Sequence, residues 1–185
     1  MNTFLVALGS NQPFGKQPPN RNLENAILSL NGPFVSVEAV SPLYKTPCFP
    51  PGAGPDYVNA AAKLTSDLEP AALLDLLHRL EARYARERSV RWGMRTLDLD
   101  LIAAEDIILP DRRTFETWRA LSSEEQQRSA PDQLILPHPR LQDRAFVLVP
   151  LRDIAPDWRH PVLNRTVTQM CNALSPEVLA EVVAL

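Results

Sequence analysis

Glycine is scarce, 6 residues in 185 against 18 prolines, and there are only two cysteines. Cys48 and Cys171 form no C-x-x-C and no zinc-type spacing, which excludes a zinc ribbon or a thioredoxin-like redox motif. Two thiols in a chain of this size point to a reduced, cytoplasmic protein. A basic surplus is also missing: the net charge is −3. Proteins that grip nucleic-acid backbone carry such a surplus, so no nucleic-acid partner is expected, and any anion site must be a local patch. No apolar run approaches the ~18 residues of a membrane span. The start, Met1-Asn2-Thr3-Phe4, lacks a basic leader and a long apolar core, so neither a signal peptide nor a membrane partner is expected. G-x-x-x-x-G-K-[ST] and G-x-G-x-x-G are absent; the phosphate holder is neither a Walker loop nor a Rossmann turn. Internal repeats and low-complexity tracts are missing too.

What remains is globular: 45% hydrophobic and 22% charged residues, enough for a self-sufficient core. One domain over residues 1–185 is expected, with no linker to a second. Residues 4–8 read as a buried strand stopped by Gly9-Ser10-Asn11. Leu23, Ala26, Ile27 and Leu30 fall at helical spacing, with Asn22 as the expected cap and Asn31-Gly32-Pro33 as the stop. Residues 34–45 read as one strand with Val35, Val37 and Ala39 on one face. After a proline-rich loop, residues 56–65 read as another, with Tyr57, Asn59 and Lys63 on one face and Val58, Ala60, Ala62 and Leu64 on the other. Pro70 opens a helix whose apolar stripe is Leu73, Leu77, Leu80 and Tyr84. An arginine-rich loop, 85–95, leads into the strand from Thr96 to Ile102. The order β-α-β-β-α-β is the ferredoxin-like signature of the α+β class, an antiparallel sheet with helices on one face. Residues 104–135 suggest a short helix around Phe115, Trp118 and Leu121 and a short strand at Leu134-Ile135-Leu136. The apolar tail from 144 is expected to add C-terminal helices to the core.

Chemistry concentrates at Thr96-Leu97-Asp98-Leu99-Asp100. Period two sends the leucines to one side and both carboxylates to the other, with Cα atoms about 7 Å apart. Such a pair raises its own pKa values unless a cation or donor lies between them. Magnesium with a polyphosphate is the economical solution, since that ion favours one or two carboxylates plus phosphate oxygens. Neutralising one aspartate is then expected to hold or raise metal-free stability. A bare D-x-D is more often the polar face of an edge strand. Here Arg79, Arg83, Arg86, Arg88, Arg91 and Arg95 crowd the stretch before it, and guanidinium forks match phosphate oxygens. Arg79 and Arg83 read better as a solvated helix end. His138, in Leu136-Pro137-His138-Pro139, sits on an extended, exposed backbone near Arg144, equally readable as structural or as a phosphate contact. His78 and His160 read as structural. Phe49, Tyr57, Trp92 and Phe146 offer faces for a flat heteroaromatic ligand, with Asn59 to read its edge; Tyr57 and Phe146 taken singly read as core anchors.

Six blocks occur in order: Ala7-Leu8-Gly9-Ser10-Asn11, Tyr44-Lys45-Thr46-Pro47, Asp56-Tyr57-Val58-Asn59-Ala60, Arg91-Trp92-Gly93-Met94-Arg95-Thr96-Leu97-Asp98-Leu99-Asp100, Leu136-Pro137-His138-Pro139-Arg140 and Arg144-Ala145-Phe146-Val147-Leu148. Together, over about residues 4–156, they resemble the 6-hydroxymethyl-7,8-dihydropterin pyrophosphokinases of folate biosynthesis. The resemblance implies ATP as co-substrate, two magnesium ions and a reduced pterin alcohol that takes the pyrophosphate, with AMP released. It implies magnesium on Asp98 and Asp100. It implies a pterin site of Thr46, Pro47, Phe49, Tyr57, Asn59, Trp92 and Phe146. Glu81, Arg86, Arg88, Arg95, His138 and Arg144 fall on the ATP side, all but Glu81 also read as catalytic. A monomer is expected, with residues 85–95 as a mobile lid. The chain departs from the family at Cys48 and Met94, both usually proline, and at His78, often glutamine. The loop between Arg88 and Arg91 is a residue short, and residues 104–135 form an elaboration. Two other classes fit the residues less well: another magnesium-dependent nucleotidyl or phosphoryl transferase on the same core, and an RNA-binding ferredoxin-like module, which would want a basic face.

Overall fold

The computed structural model describes residues 1–48, 52, 54–84 and 95–185. Its centre is β1 (Asn2–Ser10), buried without interruption from Phe4 onward. Unbroken burial means that both faces of the strand are covered. Then follow α1 (Pro19–Leu30), β2 (Val35–Val40), β3 (Tyr44–Thr46), β4 (Tyr57–Ser66), α2 (Pro70–Arg83) and β5 (Asp98–Ala104). After β5 come α3 (Arg112–Ala120), α4 (Ser123–Arg128), α5 (Ala145–Ile154), α6 (Val167–Cys171), α7 (Pro176–Ala180) and β6 (Val183–Ala184). The sheet order is β5-β1-β4-β3-β6, with β2 also on β4, and every described pairing is antiparallel. The expected ferredoxin-like βαββαβ core is present.

Alternation divides the core between the two faces. Phe4, Val6 and Leu8 of β1 meet Leu23 and Ala26 of α1 and Leu73, Leu77 and Leu80 of α2. Leu5 and Ala7 meet Val147, Leu148 and Leu151 of α5 and Val167 and Met170 of α6. Helices therefore cover both faces: α1 and α2 take one, and the tail from 144, expected to add helices to the core, supplies the layer on the other. Tyr44 ties that layer to β3: its hydroxyl donates to Asp153 Oδ2 at 2.6 Å, and burial and that carboxylate push its pKa up to about 12.

Four local expectations change. The strand at 34–45 breaks at Ser41-Pro42. Pro42 has no N–H for a ladder, and Ser41 instead uses its hydroxyl to accept from Ala61 N–H at 2.9 Å. A register shift between Val37 and Ala39 also interrupts the alternation of β2. Asn22 does not cap α1, which opens at Pro19 with Pro18 as N-cap. Asn22 is buried, and its Nδ2 donates to Gln12 O at 2.9 Å and Thr96 O at 3.0 Å. Leu134-Ile135-Leu136 forms no strand, only the isolated bridge Leu109–Leu136. The helix around Phe115 and Trp118 is α3, capped by Asp111 through Thr114 N–H. The following α4 starts with a Ser122/Glu125 capping box.

His160 is structural, as expected. It is fully buried, with ring centroids of Phe115 and Trp158 at 5.3 and 5.8 Å. Its Nδ1 accepts from Val162 and Leu163 N–H at 3.1 and 3.2 Å, and burial pushes its pKa down to about 4. The unfolded chain then binds the extra proton between about pH 6.5 and that value, so stability falls as pH drops below the unfolded pKa. This group is expected to remove about 2 kcal/mol between pH 7 and pH 5. Urea unfolding at both pH values checks this: in His160→Asn the loss between them should shrink by that amount, and an unchanged loss would refute the assignment.

Candidate active site

The site is built around a glycine. Gly9 of β1 pairs with Asn59 of β4 on one side and Asp98 of β5 on the other. A Cβ at this position would lie 3.2 Å from Asn59 Oδ1, 3.8 Å from Tyr57 Cδ1 and 3.9 Å from Asp98 Cβ. The bare backbone lets the amide, the phenol ring and the carboxylate converge. Two residues earlier in β1, Ala7 pairs with Asp100. Leu97, Leu99 and Leu101 enter the α1/α2 core, so both carboxylates share the opposite face, as period two requires. The rest of the motif, Ser10-Asn11, is a clasp rather than only a turn. Asn11 and Gln12 N–H both donate to Arg95 O, at 2.9 and 3.1 Å. Arg95 N–H returns a bond to Asn11 Oδ1 at 2.7 Å, and Asn11 Nδ2 donates to Pro55 O at 3.1 Å. Ser10 Oγ donates to Thr96 O at 2.6 Å. The ends of two loops are thereby fixed beside the glycine.

A cavity of about 610 Å³ opens over this point. At one end stand Thr46, Pro47, Tyr57 and Asn59. Asn59 is buried and its Nδ2 donates to Thr46 Oγ1 at 2.7 Å, while Phe146, 40% exposed, presents its ring from the first turn of α5. Beside them the Cys48 thiol donates to Gly54 O at 3.0 Å and accepts from Gly54 N–H at 3.2 Å. Asp98, Asp100, Arg95, Arg144 and His138 form the middle. Because β5 is the sheet edge, the lining continues round it to Leu74 and His78 of α2 and to Trp118 and residues 131–135.

The carboxylates are not left to repel each other. Arg95 Nη1 donates to Asp98 Oδ1, and Arg144 Nη1 lies 3.8 Å from Asp100 Oδ2. Burial works against the Arg95 charge, but Asp98, Asp100 and Tyr57 outweigh it and raise its pKa. Burial, with Arg140 and Arg95 near, lowers that of Arg144 against the pull of Asp100; a guanidinium stays charged regardless. Its carbon sits 5.6 Å from the Phe146 ring centroid, a cation–π distance. The expectation that neutralising one aspartate relieves strain is therefore corrected: the pair is already compensated.

His138 is partly buried rather than exposed. Its N–H donates to Ile102 O at 2.7 Å, and its Nδ1 accepts from Arg140 N–H at 3.1 Å. Burial, Arg144 and Arg140 push its pKa down to about 3. The ring is neutral at ordinary pH and carries its proton on Nε2, as a donor. Glu81, expected on the ATP side, does not line the cavity. It is 1% exposed and accepts from Leu99 N–H at 2.8 Å, a partner that edge strand β5 lacks in the sheet. Its work is to hold the strand that carries the acidic pair. Phe49, Arg86, Arg88 and Trp92 lie outside the described residues, as does all of the expected lid at 85–95 except Arg95. Sequence reading missed Leu74 and His78 as lining residues; their i, i+4 spacing beside the apolar stripe of α2 was the available signal. It also missed Trp118, three residues after the buried anchor Phe115 on a polar helix.

Among the described residues no group of three or more His, Cys, Asp or Glu is arranged to hold a metal ion. The Asp98–Asp100 pair suits magnesium completed by phosphate oxygens, which needs one or two carboxylates and no full protein cage.

Residues 5–156 match the family model of 7,8-dihydro-6-hydroxymethylpterin-pyrophosphokinase. The 2-amino-4-hydroxy-6-hydroxymethyldihydropteridine pyrophosphokinase of Synechocystis sp. is 38% identical over 178 residues, 93% of this chain and 78% of the relative. That of Pseudomonas aeruginosa is 37% identical over 157 residues, 84% of this chain and 82% of the relative. Among solved structures, Plasmodium falciparum HPPK-DHPS shares the fold at TM-score 0.61 and 14% identity. It covers 93% of this chain, which spans only 43% of that longer one.

Asp98→Asn should lower stability in chelator by about 1–2 kcal/mol, because Arg95 loses its charge partner in a partly buried setting. Thermal or urea melts with EDTA measure this. A gain in stability would restore the repulsion account.

Proposed function

The chain belongs to the 7,8-dihydro-6-hydroxymethylpterin-pyrophosphokinase family, and on that premise we propose how its residues divide the work. It is an ATP-dependent pyrophosphokinase: it transfers pyrophosphate from ATP to the hydroxymethyl group of 6-hydroxymethyl-7,8-dihydropterin in folate biosynthesis, leaving AMP. The supporting observation is the position of Gly9 between Asn59 and Asp98. Two strand spacings, about 10 Å, separate an amide suited to a heteroaromatic edge from a carboxylate suited to magnesium. A pterin read at Asn59 reaches the acidic pair with its hydroxymethyl arm.

On this reading Thr46, Pro47, Tyr57, Asn59 and Phe146 hold the pterin, with Phe49 and Trp92 assigned to it by resemblance. Asp98 and Asp100 hold two magnesium ions, which supply charge neutralisation for the phosphates when bound. Arg95 and Arg144, now facing the carboxylates, donate to phosphate oxygens as the triphosphate enters, and Arg86 and Arg88 join them by resemblance. His138 donates from Nε2. The pterin oxygen forms its bond to the β-phosphorus in line, the bond from that phosphorus to the oxygen retained by AMP breaks, and positioning with charge stabilisation carries the rate. His138 is no general base, because its Nδ1 is occupied by Arg140 N–H and its Nε2 is already protonated. We read residues 1–185 as one pyrophosphokinase domain, elaborated at 104–135, and as a monomer without nucleic-acid partners. No helix among the described residues is long and apolar enough to cross a membrane. The two buried free cysteines agree with a reducing, cytoplasmic setting.

Incubation with ATP, magnesium and hydroxymethyl-dihydropterin should yield AMP, whereas ADP or free pyrophosphate would indicate a different transferase. Asp98→Asn and Asp100→Asn should each lose at least about 100-fold in kcat at saturating magnesium; near-normal turnover in both would remove them as metal ligands. Asn59→Ala should weaken pterin binding by about 1–3 kcal/mol and leave binding of a non-hydrolysable ATP analogue within about twofold, measured by calorimetry. Equal losses would mean a damaged fold instead.

A further inference from the structure

The segment after β5 closes the cavity on the side away from Asn59. Its two ends are tied together where Leu109 and Leu136 exchange backbone hydrogen bonds of 2.9 and 3.1 Å. Within it, Phe115 is buried with its ring centroid 5.3 Å from that of His160, which pins α3 to the body of the protein. Trp118, one turn further on, is only partly buried and lines the cavity. The chain then returns past the cavity through Asp132, Gln133, Leu134 and Ile135. From the body, α2 contributes Leu74 and His78. The result is a chamber with an apolar floor, one large flat aromatic side chain and an exposed acceptor and amide at its rim.

We propose that Trp118, on the elaborated segment, is the stacking face for the base of ATP, which makes that segment a determinant of nucleotide affinity. The inference rests on the assignment of the Asn59 end to the pterin. A triphosphate held at Asp98 and Asp100 then runs away from that end, round the edge of β5, and delivers its base between α2 and the elaboration. Leu74 and Ile135 have no π-system and the His78 imidazole is the smaller ring; among the described lining residues on that side of the acidic pair, Trp118 offers the large flat face. Stacking of a base on an indole is tolerant of which base is present, so Trp118 sets affinity rather than the choice of base.

Steady-state kinetics of Trp118→Ala and Trp118→Phe test this. Trp118→Ala should raise KM for ATP about 10-fold, with kcat and the KM for pterin within about twofold of wild type, and Trp118→Phe should recover most of the loss. Magnesium tripolyphosphate, which lacks the base, should inhibit wild type and Trp118→Ala equally. ATP should quench tryptophan fluorescence of wild type more than that of Trp118→Phe, and tripolyphosphate should show no such difference. An unchanged KM for ATP, a matching loss of tripolyphosphate affinity, or a change in pterin KM alone would overturn the proposal. Absence of AMP formation by the wild type would instead overturn the assigned reaction, independently of Trp118.

Discussion

Two carboxylates on one face of an edge strand must be compensated, and the surroundings of β5 are arranged to do it. Arg95 reaches Asp98 because Asn11 brackets its backbone from both directions. Arg144 reaches Asp100 from the residue before α5, a position where a helix dipole disfavours a cation and the carboxylate offsets it. His138 is held neutral between them. On the far side, Glu81 occupies the N–H that an edge strand leaves unpaired. Charge, backbone and edge are thus satisfied by residues from five separate parts of the chain, which meet only because β1 lies between β4 and β5.

That arrangement also sets the state from which catalysis starts. Arg95 and Arg144, proposed to meet phosphate, are already ordered by Asp98 and Asp100, proposed to meet magnesium. On that proposal the arginines exchange carboxylate for phosphate partners within one cavity, and charge already gathered there is the form of stabilisation that costs least at the moment of reaction. The neutral imidazole fits the same scheme, contributing a donor without a further positive charge against two arginines.

Much of this was legible where one period governs. Alternation in β4 and β5 assigned the faces of Asn59, Asp98 and Asp100, and the stripe of α2 assigned its core side. Legibility failed where a side chain serves a distant backbone. Asn22 has the composition of a cap but bonds Thr96, 74 residues away, and Glu81 has the composition of a solvated helix end but is buried against Leu99. Neither partner is visible in local pattern. The break at Ser41-Pro42 was signalled by proline, yet the alternation on either side masked it. Leu134-Ile135-Leu136 has the composition of a strand and makes a single bridge, to Leu109, and the chain bonds β5 only further on, through His138 N–H to Ile102 O.

The bridge between Leu109 and Leu136 has a further consequence. The segment it encloses leaves and returns at one point, so its length is decoupled from the frame that carries the acidic pair. Loop-closure entropy grows only slowly with length, and chain added there lands at the cavity rim rather than in the sheet. Evolution, or a protein engineer, can therefore rewrite one wall of the chamber as a replaceable cassette while the acidic pair and its arginines stay as they are.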